Sequence, residues 1–170
     1  MYEGKEELRK IKNKYRNIFD KEKIINDFYV PCLKYCKEYF RCVGFYSSSA
    51  LITWANALPY IISNHKDKKI KLLMSRKISG LDKNTILCIS NKDSEVRREI
   101  LKKSTESIIL EAIEFSKNPN NKKQRMDLFC WLFAHKILEI KFAIPQHIED
   151  AEDYHDKFGI FTFPEGDMIS

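Results

Sequence analysis

Apolar positions along the chain either alternate with polar ones or recur every three to four residues, and the two periods take turns, which predicts strands interleaved with helices. Residues 4–15 are dominated by Lys, Glu and Arg, with Leu8, Ile11 and Tyr15 spaced as a narrow helical stripe. That pattern predicts a surface helix and sets residues 1–20 apart as an N-terminal helical arm. Asp20 can cap a helix from Lys21 to about Tyr29, and Pro31 starts a short one through Cys36, with Ile25, Phe28 and Leu33 facing inward. Phe40 to Tyr46 is rich in β-branched and aromatic residues and closes on Ser47-Ser48-Ser49, which predicts a strand ending at a helix N-cap. Leu51, Trp54, Ala55, Leu58 and Ile62 then mark one face of an amphipathic helix, which Pro59 kinks or restarts. Lys69 to Ser75 predicts a second strand, so that residues 40–75 form a βαβ unit with parallel strands.

Residues 80–136 read as helical throughout. Gly80-Leu81-Asp82 opens a short helix, Asp93 or Ser94 caps a long one through about Lys117, and Asn118-Pro119-Asn120 breaks it. A further helix carries Met126, Phe129, Cys130, Phe133 and Ile137 on one stripe, with Trp131 off it, placed to cover a neighbouring element or an interface. Leu138 to Ile144 is a third predicted strand, followed at Pro145 by a loop from Gln146 to Asp153 and a last strand from about Tyr154 to Phe161. The expected fold is α/β: a mixed, mainly parallel sheet flanked by helices, with an inserted helical segment at about 80–136, in one domain spanning 21–170.

Composition narrows this little further. Hydrophobic residues at 44% and charged residues at 32% are globular proportions, and 170 residues suffice for one core. Thirty Lys and Arg against 24 Asp and Glu leave +6, an excess that favours a polyanion such as DNA as partner. The basic residues gather at Lys66, Lys68, Lys69, Lys71, Arg76 and Lys77, and again at Lys122, Lys123 and Arg125. Lys69, Lys71, Arg76 and Lys77 are the nucleic-acid-binding candidates. The five cysteines form no C-x-x-C pair and predict small buried residues in a reducing compartment. No apolar run approaches the roughly 20 residues of a membrane span, and a cytoplasmic protein with no membrane partner is expected.

The most chemically suggestive stretch is Tyr154-His155-Asp156-Lys157-Phe158-Gly159-Ile160-Phe161. In a strand, His155 and Lys157 would share a face, placing an imidazole beside an ammonium. An imidazole works as base, acid or nucleophile near neutrality, and an ammonium beside it holds an anionic oxygen, a pairing suited to phosphate. Ser47, Ser48 and Ser49, at the carboxyl end of the first strand, are phosphate-binding candidates through hydroxyls and helix amides, and equally standard N-cap residues. Glu149, Asp150, Glu152 and Asp153, with His147 and His155, offer a rival divalent-cation cluster or simply an acidic loop. His65 and His135 have no chemical company in sequence.

In order, Asp27 to Leu33, Val43 to Leu51, Lys69 to Ser75, Leu138 to Ile144 and the H-x-K stretch resemble the phospholipase-D-like domain at the front of bacterial helicase-type proteins of restriction or phage-defence systems. The resemblance covers nearly all of the chain from about residue 20. It implies a DNA endonuclease or other phosphodiesterase in which His155 attacks phosphorus to form a phosphohistidine and Lys157 neutralises the phosphate oxygens, with neither metal nor cofactor. Two motif copies make one site, so it also implies a homodimer or a partner half supplying the second H-x-K. The sequence departs from the pattern in having Thr162 where the family has an acid, and it stops at Ser170 before the family's Gly-Ser-x-Asn segment. The domain is therefore expected to be incomplete at its C-terminus, either a piece of a longer chain or a short inactive remnant. The alternative function is a catalytically inactive nucleic-acid-binding or dimerisation module of the same fold.

Overall fold

The computed structural model describes residues 21–45, 47–74, 80–143, 157–166 and 168–169. Helical turns α1 (Lys21–Lys23), π1 (Ile24–Tyr29) and α2 (Val30–Tyr35) follow one another without a break. The wide turn is marked by the Val30 amide donating to Ile25 five residues back. It lies where Pro31, which lacks an amide hydrogen, enters the helix. Next come β1 (Glu38–Val43), α3 (Ala50–Trp54), α4 (Leu58–Ser63) and β2 (Lys69–Met74). Pro59 lies in the first turn of α4 and restarts the helix. Leu51, Trp54, Ala55, Leu58 and Ile62 are all buried, as their spacing predicts.

The helical segment is α5 (Gly80–Ser90), α6 (Glu95–Lys102), α7 (Thr105–Lys117) and α8 (Lys122–Ala134). The long helix expected to run to Lys117 is two helices. Lys103 and Ser104 are extended, and the Ser104 hydroxyl accepts the Ser107 amide, so a second cap interrupts what the apolar periodicity reads as continuous. Ser94 caps α6 and Asn121 caps α8 in the same way. The inward stripe of α8 also differs from expectation. Leu128, Phe129, Trp131 and Leu132 are fully buried, while Met126, Cys130 and Phe133 are only half-buried, because α8 is packed by α5, α6 and α7 on several sides.

Strands β3 (Leu138–Phe142), β4 (Phe158–Thr162) and β5 (Met168–Ile169) complete a sheet of order β3-β2-β1-β4-β5. β1, β2 and β3 are parallel, and β4 and β5 run antiparallel to their neighbours, so the sheet is mixed, with two parallel and two antiparallel pairings where a mainly parallel sheet is expected. The pairings Tyr39 with Ile70, Ile70 with Leu138 and Tyr39 with Phe161 decide which residues share a face. Tyr39, Val43, Ile70, Leu72, Met74, Leu138 and Phe161 are buried on one face together. Tyr39 stacks on Phe161 with ring centroids 4.3 Å apart and meets Trp54 of α3 edge-on at 6.1 Å. Each such fully buried aromatic stabilises the fold by about 2–3 kcal/mol relative to exposure. The opposite face carries Glu38, Phe40, Lys69, Lys71, Glu139 and Lys141, with Phe158 46% exposed. No helix among the described residues is long and apolar enough to cross a membrane.

Candidate functional site

β1 runs out at Val43, and the chain passes through Gly44 and Phe45 to the serine run before α3 begins at Ala50. This carboxyl edge of parallel strands is where open α/β sheets gather ligands, because the turns there leave a crevice between strand end and helix start. A cleft of about 540 Å³ opens at this edge. Tyr29 of π1 forms one wall, Ser47, Ser49 and Thr53 contribute hydroxyls, and Trp54 with Val43 makes an apolar surface.

Arg41 also lines the cleft. On β1 it has the same parity as Tyr39 and Val43, so it is a cation on the sheet's buried face, and it is half-buried. Its Nη1 donates to the Tyr39 phenol oxygen at 3.1 Å, and its guanidinium carbon lies 5.7 Å from the centre of the Tyr29 ring. Burial opposes the charge, but the phenols of Tyr39 and Tyr29 outweigh it and hold Arg41 above its ordinary value. Burial likewise pushes the Tyr39 phenol up, so that group is neutral at ordinary pH. No described carboxylate pairs with Arg41. A guanidinium presents five N–H donors in a planar fork, more than the phenols of Tyr39 and Tyr29 occupy. The arrangement suits a phosphate or carboxylate.

The serine run divides its duties. Ser47 Oγ accepts the Ser49 amide at 3.2 Å and the Ser49 hydroxyl at 3.0 Å, and both residues line the cleft. Ser49 is the N-cap of α3 by position, but its side chain makes no capping bond. Ser48 is 2% exposed, its amide donates to Asp82 Oδ2 at 2.9 Å, and its hydroxyl reaches Met126 Sδ at 3.5 Å. Ser48 turns inward and ties the loop to α5 and α8, leaving Ser47 and Ser49 lining the cleft.

The H-x-K stretch is described only from Lys157, and His155 lies outside the described residues. β4 begins at Phe158, one residue after Lys157. The reason lies in the partner strand: Phe158 pairs with Cys42, one residue before β1 ends, and little ladder remains beyond it. That register nonetheless sets the exposed Lys157 beside the carboxyl end of β1, at the edge where the cleft opens.

The basic candidates are dispersed. Lys69 and Lys71 project from the face of β2 opposite to Ile70 and Leu72, away from the cleft. Lys69 Nζ donates to the Lys136 carbonyl at 2.7 Å, and Lys71 pairs with Glu38 at 2.6 Å. Arg76 and Lys77 lie outside the described residues. Lys68, read as part of the same cluster, is instead buried, donating to the carbonyls of Leu33, Lys34 and Cys36 at 3.1, 2.6 and 2.5 Å. The acidic loop residues Glu149, Asp150, Glu152 and Asp153 and His147 also lie outside the described residues. Among the described residues no group of three His, Cys, Asp or Glu stands close enough to hold a metal. Burial pushes the Cys32 and Cys130 thiols up to about 12 and Cys36 to about 11, which leaves them protonated and unreactive. His65 and His135 do have company: they flank Trp131, His135 stacked at 4.2 Å and His65 edge-on at 5.8 Å.

Sequence reasoning missed Arg41, yet a signal was present. In Tyr39-Phe40-Arg41-Cys42-Val43 the inward parity set by Tyr39 and Val43 includes the arginine, and a charge at a core-facing strand position calls for a function or a partner. None of the protein-family models matches the chain, and neither a curated protein nor a solved structure does.

Proposed function

We propose that the chain is a phospholipase-D-like phosphodiesterase module acting on nucleic acid, most simply one half of a DNA endonuclease of the restriction or phage-defence kind. In this reading an imidazole nitrogen of His155 attacks phosphorus, an N–P bond forms as the P–O bond to the leaving nucleoside breaks, and the second motif's histidine protonates the departing oxygen. Water then cleaves the N–P bond. Lys157 holds the phosphate oxygens during both steps. The observation that carries the reading is convergence: the register puts Lys157 at the sheet edge where Arg41, Ser47 and Ser49 line one cleft. The test is DNA cleavage by the full chain in EDTA. Activity is expected there, and His155→Ala or Lys157→Ala should reduce it by about a thousandfold or more. Strict dependence on an added divalent ion would end the metal-free mechanism.

A second reading, a binding module of the same fold without turnover, is favoured by one feature. No imidazole or carboxylate is among the described residues lining the cleft, whereas its anion-binding set needs no nucleophile to work. Salt-dependent DNA binding that His155→Ala leaves intact, with no cleavage by the wild type, would decide for it.

A further inference from the structure

We propose that the Arg41 cleft is a subsite for one unpaired nucleotide of a nucleic-acid strand, with the phosphate on the guanidinium and the base against Phe45. The inference deepens the reading above and rests on it for the class of ligand; what it adds is that the strand is single where it meets the protein.

Size is the first argument. About 540 Å³ falls within the range of small-molecule pockets, roughly 300–1,000 Å³, and accommodates a single nucleotide. The second argument is charge. Arg41 is half-buried and lines the cleft, and among the described residues it meets the phenols of Tyr39 and Tyr29 but no carboxylate, so a phosphate there gains a charge-assisted partner. The third is an aromatic out of place. Phe45 is 59% exposed, although it stands two residues beyond the buried Val43 and lines the same cleft. A phenylalanine held in solvent at the mouth of an anion pocket offers a face on which a base can stack, and it can do so only if that base is not paired in a duplex. The hydroxyls of Ser47, Ser49 and Thr53 line the cleft as further hydrogen-bonding groups for sugar and phosphate oxygens. Together these are the parts of a single-strand site: a cation for the backbone and an aromatic platform for the base.

The experiment is fluorescence anisotropy with one labelled oligonucleotide, single-stranded or annealed to its complement, using the full chain at fixed salt. The single strand should bind about tenfold or more tightly than the duplex. Arg41→Gln should weaken single-strand binding about tenfold or more, and Phe45→Ala by about fivefold or more, with the duplex affected far less. Phe45 is exposed, so its variant remains informative if Arg41→Gln fails to fold. Equal affinity for the two forms, or single-strand binding unchanged in a folded Phe45→Ala, would overturn the inference. A free mononucleotide that displaces the strand at comparable concentration would also overturn it, assigning the cleft to a soluble nucleotide. Cleavage in EDTA that depends on His155 but shows no strand preference would remove this inference and leave the phosphodiesterase standing. The single-strand preference without any cleavage would do the reverse.

Discussion

A half-buried guanidinium with no described carboxylate beside it is held in place by the shape of its neighbours, and Gly159 is central to that shape. Gly159 pairs with Arg41 across β1 and β4, and a Cβ added there would meet the Tyr39 ring at 3.1 Å and its phenol oxygen at 3.2 Å. The bare glycine lets the Tyr39 ring lie across β4 and present its oxygen to Arg41. A different residue, His135, contributes to the pH response. Burial, His65 and Arg97 all hold His135 below the ordinary histidine range, so the folded chain keeps it neutral while the unfolded chain protonates near pH 6.5. The unfolded state thus binds more protons as pH falls below that value, and the contribution to stability is present above it and lost through the folded pKa. The expected outcome is a melting temperature that declines on acidification from about pH 7 to about pH 5, and declines less steeply in His135→Gln. Equal slopes for the two proteins would show that other groups carry the acid sensitivity.

At the level of elements, the junction between α2 and β2 is the most exacting. α2 ends at Tyr35 with Cys36 extended, and its last carbonyls are answered by one ammonium, that of Lys68, 6% exposed. Burial lowers the Lys68 pKa, and the three carbonyl contacts offset the cost of keeping the charge inside. Lys68→Met should therefore destabilise the fold by about 2–3 kcal/mol in urea unfolding, because it leaves buried acceptors without a donor. A loss no larger than that of a surface lysine would refute the role. Element by element, the sequence was readable where periodicity and caps agree. The α3–α4 face and the restart at Pro59 are of this kind. It misled where a cap sat inside a continuous apolar period, as Ser104 does between α6 and α7, and where a helix is packed on several sides, as α8 is. Lys68 was unreadable in the same way, since a lysine in a basic run carries no local sign that a helix end lies against it.

For the molecule as a whole, the cleft belongs to no single segment. π1, β1, the serine loop and α3 each supply part of it, and Asp82 of α5 anchors the loop through Ser48. On the face of the sheet away from the cleft Lys71 is compensated by Glu38, so that ion pair and the specific anion site are separate features. The phosphodiesterase reading has one consequence at this scale: with a single H-x-K in the chain, a complete site needs two copies. Light scattering should find a dimer, and cleavage per chain should fall on dilution below its dissociation range. A monomer that cleaves DNA in EDTA would remove the need for a second motif.

What the sequence determined alone is most of the succession of strands and helices, and the strand parity that turns Arg41 inward is written there too, although it went unread. These follow from a backbone geometry that repeats within a few residues, so they are written locally. What only the tertiary structure decided is which of these residues meet. Ser47 and Ser49 came together with Arg41 and Tyr29, while Lys69 and Lys71 went to the opposite face and Lys68 went inside. Such meetings depend on strand order and on register between segments far apart in the chain, and no local period encodes either.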